Sequence, residues 1–279
     1  MNNNIFIDIG GTKMLISHKN IKKIIPTGIK CTKNFIKKQI KDFLHEIPAK
    51  HYKIGIAIPG LVKNFNHVIL SYVIPDLKDL TTDFIDSNQE IHFINDVTAA
   101  LFSQFDKFDK LNTIIVIMVG TGIGMGIFSN NKIITGANGW AGELGSTNII
   151  IDSNNVQTLD QVASGAAIIK LMNNKSPEEI KKLLDINDQS AIEIIKKTGF
   201  YFGIGLANVI NLYNPNLIVI SGGTSNYKYY IESALKCAQQ FSIDELYKSC
   251  KIKIIKTEEN LVIKGLENFL KLQNKSFLF

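Results

Sequence analysis

Apolar residues along this chain fall into two spacings. Ile5-Phe6-Ile7 and Met14-Leu15-Ile16 flank Gly10-Gly11-Thr12, the pattern of two strands around a turn. Over residues 32–47 the positions Phe35, Ile36, Ile40, Phe43, Leu44 and Ile47 recur near 3.6 residues, which predicts a helix. Residues 53–58 read as a strand ended by Pro59-Gly60. Residues 91–94 read as a short buried strand, followed by Asn95-Asp96 and a helix from Val97 to about Phe105.

The second half repeats the opening. Residues 114–118 form an apolar strand, Gly120-Thr121-Gly122 turns it, and 125–128 return. Ser176-Pro177-Glu178-Glu179 is a helix start, with a capping Ser, Pro at the first helical position and Glu at the third. Residues 190–213 predict a long apolar helix stopped by Asn214-Pro215. A buried strand at 217–220 leads into Ser221-Gly222-Gly223-Thr224, and helices are expected at 227–241 and 258–272. Segments 5–17 and 115–129 share one order: apolar strand, Gly-Thr turn, apolar return strand, Ser. That order suggests an internal duplication of a hairpin-first α/β unit. The polar link at 109–113 divides the 279 residues into domains 1–112 and 113–279, in keeping with roughly 150 residues per domain.

Composition narrows the chemistry. All 31 basic residues are Lys, and the chain has no Arg. It therefore has no arginine finger and no guanidinium clamp for phosphate or carboxylate. The net charge of +6 is spread without a basic block, and Arg, the main reader of guanine, is missing. A nucleic-acid partner is not expected. Cys31, Cys237 and Cys250 are scattered, so neither a disulfide framework nor a thiolate zinc site is suggested, and a reducing cytoplasm fits. The start, Met1-Asn2-Asn3-Asn4, enters a strand without a leader pattern, and no apolar run approaches the roughly 20 residues of a membrane span.

Three glycine-rich turns each follow a strand: Gly10-Gly11-Thr12-Lys13, Gly120-Thr121-Gly122-Ile123-Gly124, and Ser221-Gly222-Gly223-Thr224. Together they point to a phosphate clasp, because glycines let backbone N–H groups approach an anion. Neither common nucleotide fingerprint is present. Asp8, beside the first turn, offers the hard oxygen that Mg²⁺ prefers, directly or through water; the alternative is a carboxylate bonded to its own turn. Asp96 follows a strand and opens a helix. It reads either as a proton acceptor for a hydroxyl nucleophile or as a helix cap. His18, His45, His51, His67 and His92 are dispersed, and no hydrolase constellation occurs.

Six motifs in order then carry a resemblance. They are 8–13 (Asp-Ile-Gly-Gly-Thr-Lys), 55–62 with Pro59-Gly60, 95–100 with Asn95-Asp96, 120–124, 136–145 with Glu143-Leu144-Gly145, and 163–165. Together they resemble the ROK family of sugar kinases and sugar-responsive repressors. Asn214-Pro215 with Ile218 to Gly223 resembles a later nucleotide-binding segment, so the likeness spans nearly the whole chain.

The resemblance implies an α/β protein with the actin-like ATPase (ribonuclease H-like) fold. It implies two domains flanking a cleft, with a last helix at about 258–273 packed back on the N-terminal domain. It implies ATP-dependent phosphorylation of a hexose or N-acetylhexosamine at the 6-hydroxyl, with Asp96 as catalytic base. By the same resemblance Gly60, Asn95, Asp96, Glu143, Ser146 and Asp160 meet the sugar. Asp8, Gly10, Gly11, Thr12, Lys13, Gly120, Thr121, Gly122, Gly124, Gly222 and Gly223 meet ATP and Mg²⁺. It also implies a cytoplasmic homodimer with small-molecule partners, neither nucleic acid nor membrane.

Two departures stand out. Ser146 occupies a position where the family commonly has His, and 151–158 lacks the cysteines of the family's zinc loop, so no zinc is expected. Asp160 stands for a longer Glu. Family repressors carry a DNA-binding domain ahead of the first glycine motif. Here that motif begins at Asp8, which favours a kinase, with a catalytically weak sugar-binding regulator as the alternative.

Overall fold

The computed structural model describes residues 4–47, 52–85, 89–256 and 260–272. His51 and the start of the helix expected from 258 lie outside them.

The chain divides into two compact units. Unit 1 contains 1–107, 135–140 and 260–279; unit 2 contains 108–134 and 141–259. The strands of unit 1 are β1 (Asn4–Ile9), β2 (Lys13–His18), β3 (Ile21–Pro26), β4 (Lys53–Ile58), β5 (Leu61–Lys63), β6 (His67–Leu70) and β7 (Glu90–Asn95). Its helices are α1 (Lys33–Glu46) and α2 (Asp96–Phe102). Unit 2 carries β8 (Thr113–Val119), β9 (Ile123–Ser129), β10 (Lys132–Ile133), β11 (Asn148–Asp152) and β12 (Asn155–Thr158). These are followed by α3 (Leu159–Ala163), α4 (Gly165–Leu171), α5 (Pro177–Asp185), α6 (Gln189–Tyr213), β13 (Leu217–Ser221), α7 (Tyr230–Phe241), α8 (Asp244–Ser249) and β14 (Lys251–Ile254). Helix α9 (Leu261–Leu272) returns to unit 1.

The main sheets share one topology: β3-β2-β1-β4-β7 in unit 1 and β10-β9-β8-β13-β14 in unit 2. In each, the first strand pairs antiparallel with its hairpin partner and parallel with the next strand. The similarity of 5–17 to 115–129 is thus the sequence trace of two sheets with equivalent strand order. Ile5, Ile7, Ile9, Ile54, Ile56 and Ile58 meet Ile36, Ile40 and Phe43 of α1 in one core. Ile115, Ile117, Val119, Ile218 and Ile220 meet Phe202, Leu206 and Val209 of α6 in the other.

Several elements differ from expectation. Helix α2 ends at Phe102, short of Phe105, because its last turn tightens: the N–H groups of Ser103 and Gln104 donate to Ala100 and Leu101. Helix α7 starts at Tyr230, since residues 223–226 form a separate 3₁₀ turn and Tyr229 is left-handed (φ 73°). Strand β3 escapes the pattern because it is a sheet edge, with exposed Ile21 and Ile24 around Lys22 and Lys23. Residues 151–158 lie in the β11–β12 hairpin. The capping box at Ser176 and Glu179 is formed as the sequence indicates.

Helix α9 packs on α2, β1 and β4. At Gly265 a Cβ would stand 1.6 Å from the Ala99 carbonyl oxygen, so the helices touch through backbone. Gly265→Val is expected to lower stability by about 3 kcal/mol or more, the upper range for overpacking. Thermal unfolding measures this; a melting temperature unchanged from wild type would mean that α9 is not seated this closely.

Candidate active site

The first glycine turn closes β1 onto β2. The Gly10 N–H donates to the Lys13 carbonyl at 2.9 Å, and the Thr27 hydroxyl donates to the Gly10 carbonyl at 2.6 Å. Among the described residues, nothing hydrogen-bonds the N–H of Gly11 or Thr12, which leaves two donors for an anion. The carboxyl of Asp8, half-buried near the end of β1, also takes no hydrogen bond among the described residues, so no bond ties it to its own turn. Burial pushes its carboxyl up to about 6, with the Lys13 ammonium acting in the opposite sense. An underhydrated carboxylate without a protein donor is a fitting ligand for a hard cation.

The second turn is bolted on three sides. Gly165 N–H donates to the Gly120 carbonyl (2.8 Å), Ala166 N–H to the Thr121 carbonyl (3.2 Å), and the Thr224 hydroxyl to the Gly120 carbonyl (3.0 Å). Ile123 N–H donates to Asp160 Oδ1 at 2.7 Å. With its carbonyls turned to these partners, the turn leaves the N–H groups of Thr121 and Gly122 without a hydrogen bond among the described residues, and both residues are exposed. Gly124 lies past the turn, inside β9 and opposite Met118. Gly222 adopts φ 109° at the end of β13, and Gly223 faces open space.

Asn95 and Asp96 divide the work at the junction of β7 and α2. Asn95 is the helix cap: its Oδ1 accepts from Thr98 N–H at 3.0 Å. Its Nδ2 donates to the Gly60 carbonyl at 3.1 Å and to Asp96 Oδ1 at 3.2 Å. Asp96 Oδ1 also accepts from Val97 N–H at 2.9 Å. The capping alternative considered for Asp96 therefore falls on Asn95, and Asp96 Oδ1 is held by Val97 N–H and the Asn95 amide.

In unit 2, Glu143 precedes a 3₁₀ turn over Leu144–Ser146, and Ser146 N–H donates to its carbonyl at 3.1 Å. Glu143 is exposed as a residue, yet its carboxyl is partly withdrawn from water. That desolvation, then the charge of Asp160, raises it above the ordinary glutamate range. Asp160 sits in the first turn of α3. Burial raises its carboxyl, and the Ile123 hydrogen bond opposes the rise.

Residues 4–266 match the profile of the ROK family. The chain belongs to the ROK family. It is 28% identical over 239 residues to a xylose repressor of Bacillus subtilis, covering 78% of this chain but 60% of the repressor. It is 24% identical to an N-acetyl-D-glucosamine kinase of Histophilus somni, over 89% of this chain and 92% of that kinase. In structure it is similar to a ROK family glucokinase from Streptomyces griseus solved with glucose and AMPPNP, with a TM-score of 0.78, 20% identity, and 95% and 98% of the two chains covered. That likeness establishes the fold, the actin-like ATPase fold expected from the motifs. The chain spans 60% of the length of the xylose repressors it matches.

Within this ROK chain, unit 1 gathers Asp8 with Gly10 to Lys13, and Gly60 with Asn95 and Asp96. Unit 2 gathers Glu143 and Asp160 with the 120–123 turn. No local sequence signal marks Thr224, Gly165 and Ala166 as anchors of that turn, or the bond from Ile123 to Asp160. These partners stand 104 and 37 residues apart for Thr224 and Asp160, beyond any local pattern.

Proposed function

We propose that this ROK protein transfers the γ-phosphoryl group of ATP to the 6-hydroxyl of a hexose or N-acetylhexosamine. The supporting observation is the Asp96 carboxylate, fixed by Val97 N–H and the Asn95 amide while Asn95 takes over the helix cap. Asp96 accepts the hydroxyl proton as the oxygen–phosphorus bond forms and the bond to ADP breaks. Gly60, Asn95, Glu143, Ser146 and Asp160 hold the sugar. The amides of Gly11, Thr12, Thr121 and Gly122, which carry no hydrogen bond among the described residues, cradle phosphate, with Gly10, Gly120 and Gly124 shaping the turns, and Gly222 and Gly223 serve the adenosine side. In a chain without Arg, Lys13 adds the nearby positive charge. Asp8 would hold Mg²⁺, directly or through water, and the ion would supply charge neutralisation at the phosphates. The same reading makes the protein a cytoplasmic homodimer; no helix among the described residues is long and apolar enough to cross a membrane.

An ADP-release assay with glucose, N-acetylglucosamine, N-acetylmannosamine and fructose tests the activity. Turnover is expected with at least one sugar. EDTA should stop it and Mg²⁺ alone restore it, with well under one zinc per chain by elemental analysis. No turnover with any of these sugars, or stoichiometric zinc, would overturn the corresponding part. The 28% identity to a xylose repressor favours a second reading, a sugar-responsive regulator. It requires saturable sugar binding without ADP release.

A further inference from the structure

Gly60 is the hub of an arrangement that reaches beyond the sugar-holding roles proposed for it and for Asn95. From one side Asn95 Nδ2 donates to its carbonyl. On the other, the space where a Cβ would sit is filled by the Leu70 carbonyl oxygen at 2.2 Å and by Ser71 at 3.0 Å. Ser71 is itself buried and pinned: its hydroxyl donates to the Pro59 carbonyl at 2.7 Å and accepts from Ile74 N–H at 3.1 Å. The next residue, Tyr72, is thereby held at a fixed place, yet it is 74% exposed. One position beyond Gly60, Leu61 Cδ1 lies 2.7 Å from the Cβ position of Gly139, and the residue after Gly139 is Trp140. The two rings meet with centroids 6.2 Å apart and planes tilted by 43°. Val73, beside Tyr72, closes on Gly11, 2.7 Å from its Cβ position.

A large aromatic left in water by a locked backbone costs free energy that burial would recover. Tyr72 is linked through Ser71 and Gly60 to the strand end that carries Asp96, a carboxylate suited to hydroxyls. A ligand suited to both presents hydroxyls on its edge and C–H groups on its face. We infer that Tyr72 and Trp140 form a carbohydrate-stacking subsite that packs against the apolar face of the acceptor sugar ring. The assignment rests on the sugar-kinase reading for its substrate class and adds two contact residues to it.

Trp140 is the only Trp in the chain, so its emission reports on this subsite alone. Glucose, N-acetylglucosamine and N-acetylmannosamine are the probes, titrated without nucleotide and followed by fluorescence and calorimetry. A saturable emission change is expected with the sugar that calorimetry shows to bind. Tyr72→Ala should weaken that sugar about 3- to 10-fold and Tyr72→Phe should restore it, the scale of one aromatic contact. ATP affinity should stay within twofold in both variants. Because Tyr72 is exposed, the alanine variant keeps its core, and an unchanged melting temperature checks this. Alanine binding within twofold of wild type, Trp emission unmoved at saturating sugar, or no binding of any probe would overturn the inference. If binding depends on Tyr72 but no sugar releases ADP, the kinase reading falls and the subsite stands. If turnover occurs and Tyr72→Ala changes nothing, the reverse holds.

Discussion

Asp96→Asn is expected to keep the fold and reduce turnover by about 10²–10⁴-fold, the usual contribution of a positioned general base. The carboxamide oxygen can still accept from Val97 N–H, and Asn95 still caps α2. The melting temperature should therefore move little. Calorimetry should show sugar and ADP binding near wild type, so the loss lies in the chemical step. Turnover equal to wild type with the best sugar would remove Asp96 from the proton transfer. The residue would then be only the first residue of a helix whose cap is Asn95.

Asp8→Asn is expected to exchange activity for stability. The folded state raises this carboxyl from 3.8 to about 6, mainly through burial. An acid with a raised folded pKa destabilises the fold when ionised. The cost is absent below pH 4, grows between 4 and 6, and is complete above 6. A shift of about two units corresponds to about 3 kcal/mol, and partial exposure reduces this to about 1–2 kcal/mol. At pH 8 the asparagine variant should melt a few degrees above wild type, and the two should converge near pH 4. In the presence of Mg²⁺ and ATP, wild type should gain stability that the variant does not, and ADP release by the variant should fall sharply. A variant less stable than wild type at pH 8 would show that the carboxylate makes a bond the fold needs.

The strength and position of the local pattern decided what could be read from the chain. The two hairpin-first segments were legible because Ile5-Phe6-Ile7 and the run at 114–118 are continuous apolar strands meeting glycine turns, and both seed sheets of one topology. The capping box at Ser176 needs only residues three positions apart, and it is formed. The β11–β12 hairpin leaves Ile150 and Val156 exposed across from each other while Ile149 enters the core of unit 2, so an apolar residue there does not by itself mark a buried position. Which of Asn95 and Asp96 caps α2 could not be read from composition, since both types serve. The extended backbone of Asn95 (φ −60°, ψ 141°) settles it. Asp160 shows the same limit: motif order singled the residue out, but its bond to the second glycine turn, 37 residues away, was not legible.

Unit 1 is assembled from separated stretches of chain, and this has a consequence for synthesis. Leu266 and Leu270 of α9 lie 3.3 Å from the Cβ position of Gly55 in β4, and Asn268 donates to the Phe102 carbonyl across 166 residues. On the ribosome, β1, β4 and α2 emerge long before the helix that covers them. The intervening stretch meanwhile contains nearly all of unit 2. Domains ordinarily finish folding in the order in which they are translated. Here the earlier sheet must wait with an uncovered apolar face, the state in which a nascent chain most needs a chaperone.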